Sequence, residues 1–385
     1  MAGHAGTAYW FSKPTGAFVT SNYYADRYPD WVTAFNTASP LENYVDQSWV
    51  LSAPPNTYRF SELDDQPWET DVAGFGNVFP HPYNNPDNRY FTTLITLSPA
   101  GDELVLEFAK HAILGEQLGD DEITDYLSIS FSSTDYIGHV FGPSSLEAED
   151  NLLRLDRSLA DLLAFVDDQI GLEHTLVILS ADHGGAEAPG ALKKLNIPSS
   201  YFDPVTVSEN TKINALQHRF GLTDAIIQSY IPPYIYLSEE SLALHPPKRS
   251  VFMAEVVGIL RALPGVAAIV SSDSLSIDKV MFDNIGRAVA NNYHPERSGD
   301  LYVVLEPHHF INDFDGLTVT STHGSPWSYD THVPLIFAGW GIRPIKVHTK
   351  VSTVSLAPTI AQLLQIKSPS GALEAPLTEM LQGSP

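Results

Sequence analysis

Between residues 125 and 180 the hydrophobic pattern changes period twice, and this limits the fold more than any other feature of the chain. Asp125-Tyr126-Leu127-Ser128-Ile129-Ser130-Phe131 reads as a strand. Leu152, Leu155, Leu159, Leu162 and Val166 then recur at helical intervals, which predicts a long amphipathic helix. Ser144 and Glu147 have capping-box spacing at its start. Thr175-Leu176-Val177-Ile178-Leu179-Ser180 is the next strand. Strand, helix and strand in that order predict a βαβ unit, and hence an α/β fold with a parallel sheet. Such sheets place ligands at the C-terminal ends of their strands.

The rest of the chain is arranged around this unit. Tyr9-Trp10-Phe11 and Phe18-Val19-Thr20 flank Lys13-Pro14-Thr15-Gly16, a hairpin pattern. Residues 40–90, rich in Pro, Asn, Asp, Trp and Tyr, predict an irregular but ordered segment whose aromatics pack inside. Residues 101–119 predict a helix starting near Asp102. From about 190 to about 320 the pattern reads as an inserted subdomain, with a helix at Val251–Leu263 and strands at Val266–Val270 and Leu301–Leu305. Val333–Phe337 returns to the main sheet, and Leu356–Leu364 is a closing helix. A length of 385 residues suits one large α/β domain carrying such an insertion.

Charge excludes some partners. The chain carries 21 Lys+Arg against 46 Asp+Glu, a formal net charge of −25. Such a surface repels nucleic-acid phosphates and anionic membranes. If the substrate is an anion, local cations must reverse the field, and metal ions can do so. There is no cysteine, so a metal site must draw on carboxylates and on the 14 histidines. No apolar stretch is long enough to span a bilayer, and Met1-Ala2-Gly3-His4-Ala5-Gly6 has neither the basic nor the apolar region of a signal peptide.

Three segments carry candidate chemistry: Ser133-Thr134-Asp135-Tyr136-Ile137-Gly138-His139, Ser180-Ala181-Asp182-His183-Gly184-Gly185, and Thr322-His323-Gly324-Ser325-Pro326. Asp135 and His139, four apart, share one face of a helical turn. Asp182 and His183 follow a strand directly, and Gly184 and Gly185 permit the turn that brings both to one ion. His323 adds a distant imidazole. Five Asp and His donors suit zinc, with positions left for substrate. Other conspicuous groups read as structural: His308 and His309 in a loop, His81 as a loop contact, His111 facing solvent, and Asp156 paired with Arg154 or Arg157.

These segments, together with Phe141-Gly142-Pro143 and Asp330-Thr331-His332-Val333-Pro334-Leu335, resemble the alkaline phosphatase superfamily. The likeness is to its monomeric bacterial threonine-nucleophile branch, related to the type I phosphodiesterases and nucleotide pyrophosphatases. It extends over most of the chain, including the segment from Met1, Tyr28-Pro29-Asp30-Trp31 and Val351 to Thr359. It implies a three-layer sandwich with a mostly parallel central sheet, and a monomer acting on small phosphate esters in the periplasm or outside the cell. It also implies two zinc ions per complete enzyme. Asp135, His139 and His323 match one ligand set, and Asp182 and His183 match two ligands of the other. His332, just before the apolar run Val333–Phe337, reads by its position as packing beside the site and holding a ligand from behind.

The family's nucleophilic threonine, one aspartate ligand and a Lys/Arg clamp come from an N-terminal stretch with no match here. The expectation is an N-terminally truncated chain that holds about one zinc tightly and hydrolyses phosphate monoesters weakly or not at all. Two other readings stand beside it: a phosphodiesterase or nucleotide pyrophosphatase, and a non-catalytic metal-binding scaffold.

Overall fold

The structure is a computed structural model that describes residues 3–275, 284–314 and 316–381; Met1 and Ala2 of the family-like segment lie outside them. Strands β1 (Trp10–Ser12) and β2 (Ala17–Val19) form the expected antiparallel hairpin, with Trp10 opposite Val19. Helix α1 (Pro99–Gly115) begins earlier than Asp102, because the Ser98 hydroxyl caps it by accepting the Ala100 N–H. Asp102 is buried instead, and its carboxylate accepts the Ser133 N–H at 3.0 Å. That bond secures the start of α2 (Ser133–Phe141), the helix bearing Asp135 and His139.

Helix α3 (Leu146–Gln169) is capped by Ser145, not Ser144; its hydroxyl accepts the Ala148 N–H at 3.0 Å. Glu147 does not close a capping box. It points into the core, where its Oε1 lies 3.2 Å from His81 Nε2. His81 is therefore fully buried and not a loop contact. One turn further on, Asp150 accepts from Trp49 Nε1 at 2.7 Å, the Tyr58 hydroxyl at 2.6 Å and the Ser52 N–H at 2.8 Å. Burial opposes its charge, but these donors outweigh burial and hold the carboxyl below the usual range. Residues 40–90 are thus ordered by being tied to α3. Trp49, Phe75, Tyr83, Leu94, Ile95, Ile137 and Phe141 then close one core around α1 and α2.

Strand β3 (Leu176–Ser180) follows. Next comes an antiparallel sheet of β4 (Ile227–Ile231), β5 (Tyr234–Leu237), β6 (Val266–Ser271) and β7 (Leu301–Leu305), in the order β4-β5-β7-β6. Helix α4 (Pro246–Arg261) supplies Phe252, Val256 and Leu260 to the core beside it. A short helix α5 (Ser328–Thr331), strand β8 (Leu335–Gly339) and helix α6 (Leu356–Leu363) complete the chain's main elements.

The βαβ unit forms differently from expectation. Among the described residues, 125–131 make no strand pairing, and Tyr126 is 74% exposed. The apolar stripe of α3 is also only partly covered, with Leu152 54% exposed. The described partner of β3 is β8, which runs antiparallel with Ser180 opposite Leu335. The reason is positional: β8 enters beside the end of β3, so antiparallel pairing sets the loop after Ser180 against the segment before Leu335. The first is one of the three candidate segments, and the second follows a few residues after another, Thr322–Pro326.

Phe141, 1% exposed, anchors the C-terminal end of α2 in the core. Phe141→Ala is expected to cost about 3–5 kcal/mol of unfolding free energy, read from the shift in urea midpoint at constant m-value.

Candidate metal centre

Each segment is fixed by bonds that do not use its ligand atoms. On α2, His139 Nδ1 donates to the Ser321 carbonyl at 2.7 Å, which leaves Nε2 as the lone-pair nitrogen. The His139 carbonyl in turn accepts the Thr320 N–H at 2.8 Å. Thr320 Oγ1 lies 2.6 Å from both the Val140 and Trp68 carbonyls. The strand-like run into His323 is thereby stitched to the end of α2.

The segment after β3 is tied to the same run. Ala186 N–H donates to the Thr322 carbonyl at 3.0 Å, and Gly184 N–H to the Asp330 carbonyl at 2.8 Å. A Cβ at position 184 would overlap the Tyr329 carbonyl oxygen, so the close approach requires glycine.

These constraints bring the predicted donors together. Asp135 Oδ2 lies 3.3 Å from His139 Nε2, and Asp135 Oδ1 lies 3.5 Å from His323 Nε2. The His183 and His323 rings stack with centroids 3.5 Å apart. Donor atoms of Asp135, His183 and His323 all lie within 4.8 Å of one another. This group crosses the two ligand sets that the family resemblance separates. Asp182 faces solvent, with its Oδ2 3.5 Å from His183 Nε2. His332 is exposed, and its described hydrogen bond runs from its backbone N–H to the Ser328 carbonyl.

Protonation fits cation binding. Burial opposes the Asp135 charge, but His139, then His323 and His183, outweigh it and hold the carboxyl below its ordinary value. Burial, followed by the neighbouring His183, lowers His323 and favours the neutral ring that a metal needs. One carboxylate and two imidazoles, with no thiolate available, fit zinc.

Sequence reasoning missed the role of Asp330. It is 4% exposed and accepts the Ser325 N–H at 2.7 Å and the Ser325 hydroxyl at 2.5 Å. The available signal was an acid between His323 and the apolar run at β8, in a stretch already matched to the family. Arg154 also differs from expectation, since it pairs with Asp150 at 2.9 Å and Glu103 at 3.6 Å instead of Asp156.

A family model described as type I phosphodiesterase / nucleotide pyrophosphatase matches residues 1–326. The chain belongs to this family. It is, by family, a phosphoric ester hydrolase of the alkaline phosphatase superfamily. Alkaline phosphatase PafA of Elizabethkingia meningoseptica is 35% identical over 385 residues, covering 99% of this chain and 69% of that protein. Alkaline phosphatase PhoV of Synechococcus elongatus is 33% identical, covering 99% and 68%. A Myroides odoratus protein named a calcium-transporting ATPase is 36% identical, also covering 99% and 69%. The crystal structure of wild-type PafA superposes with a TM-score of 0.84 at 34% identity, covering 97% of this chain and 70% of that one. The fold is therefore the α/β fold of this phosphatase. No helix among the described residues is long and apolar enough to cross a membrane.

The imidazole of His139 gives a direct test of this geometry. Burial opposes its charged form, but Asp135 and the Ser321 carbonyl outweigh burial and raise its pKa. A raised imidazole adds stability that is complete below about pH 6.5, the unfolded value, and is lost as pH rises through the folded value. In metal-free protein, the His139 Cε1–H NMR titration is expected above the ordinary midpoint, and Asp135→Asn should bring it down.

Proposed function

We propose that Asp135, His183 and His323 hold one zinc ion per chain, and that the reaction this centre serves is hydrolysis of small phosphate monoesters. One observation carries the reading: donors from three distant segments meet within 4.8 Å of one another. His139, expected as a further ligand, stands beside this group with its Nε2 3.3 Å from Asp135 Oδ2. The monoester preference rests on the relatives named alkaline phosphatases.

When bound, zinc supplies the positive charge against phosphoryl oxygens that a chain of net charge −25 otherwise lacks. The residues do the positioning. The Ser321 carbonyl fixes the His139 tautomer, Gly184 lets the His183 loop approach the 329–330 backbone, and Asp135 spans His139 and His323.

The test pairs metal analysis with two substrates. Purified chain dialysed against zinc should retain about one ion, and Asp135→Asn should lose it. Hydrolysis of 4-nitrophenyl phosphate should exceed that of the bis-ester. Faster cleavage of the diester would favour the phosphodiesterase reading that the family description offers. Absence of bound zinc would sink the proposal.

A further inference from the structure

Asp330 is tied to both loops that carry the imidazoles of the metal group. Its Oδ2 accepts two hydrogen bonds from Ser325, two residues past His323. Its backbone carbonyl accepts the Gly184 N–H, one residue past His183. The same side chain keeps a second oxygen, Oδ1, that is buried and has no hydrogen-bond partner among the described residues. Leaving a buried acceptor unmatched costs about 1–3 kcal/mol, so this atom calls for an explanation. Asp330 also interacts electrostatically with both His323 and His183.

We propose that Asp330 is a positioning residue of the metal centre, fixing the loops that carry His183 and His323 in place. Its carboxylate sets the 323–325 turn through Ser325, and its backbone carbonyl sets the 182–184 turn through Gly184. Neither bond uses a ligand nitrogen, so the clamp holds without competing for the cation. Outer groups of this kind orient ligands and typically change metal affinity by about 10–100-fold when removed. The inference rests on the reading that Asp135, His183 and His323 bind zinc.

Asp330→Asn keeps the volume but replaces one acceptor oxygen with a donor. It must either drop a Ser325 bond or place an N–H donor where Oδ1 stands. Asp330→Ala removes the side-chain half of the clamp, and Ser325→Ala removes one of its two side-chain bonds. Zinc dissociation constants would be measured by competition with a chromophoric chelator on the full chain, alongside thermal unfolding of the metal-free forms. The expected result is a loss of zinc affinity of about 10–100-fold in Asp330→Asn. A smaller loss is expected in Ser325→Ala, with the metal-free melting temperature of both close to wild type.

A merely structural role would lower the metal-free melting temperature and leave the affinity of the folded protein unchanged; that result overturns the proposal. If Asp330→Asn does not fold, Ser325→Ala decides, and unchanged affinity there overturns it equally. Failure of the wild-type chain to bind zinc would instead sink the underlying metal reading.

Discussion

Three segments separated by up to about 190 residues are held together by backbone carbonyls and amides, and the candidate centre depends on those bonds. Ser321 holds His139 through its carbonyl, Thr320 is stitched to the end of α2, and Ala186 and Gly184 donate to Thr322 and Asp330. Backbone groups are obligatory hydrogen-bonding partners once buried, so this lattice is specified independently of the ligand side chains. Asp135, His183 and His323 then converge because their backbones have already been fixed. Like groups would otherwise resist such an arrangement, and the three imidazoles are accommodated by one shared carboxylate and by ring stacking.

The same economy governs the core beneath the site. Asp102 secures the first turn of α2, Asp150 ties the 49–58 segment to α3, and Glu147 faces His81. Glu69 lies close enough to feel Glu147 and Asp64, and burial pushes its carboxyl up to about 8. Acid side chains in this half of the molecule therefore act as internal struts, as well as giving the surface its negative charge.

The sequence was most legible where one periodic signal decided the outcome. The helical stripe after Leu146, the apolar run at Leu176–Ser180 and the Asp135–His139 spacing gave elements close to those observed. Periodicity could not say which strands pair. Residues 125–131 alternate like a strand yet stay exposed, and β3 joins a strand more than 150 residues away in antiparallel register. Caps were misplaced for a related reason. A Ser-x-x-Glu pattern cannot reveal that Glu147 has a buried histidine waiting for it, or that Ser145 is the residue whose hydroxyl reaches Ala148. For the site, sequence named the ligand types but not their grouping. Asp330 went unweighed because its role lies in a carbonyl and a turn, which letters do not display.

Anomalous diffraction at the zinc edge, from crystals of the chain grown with zinc, tests the central assertion most directly. The account expects an anomalous peak with Asp135, His183 and His323 as ligands, and zinc–nitrogen distances of about 2.0–2.1 Å. A peak elsewhere, or no peak despite an ordered Asp135 and both rings, would contradict it.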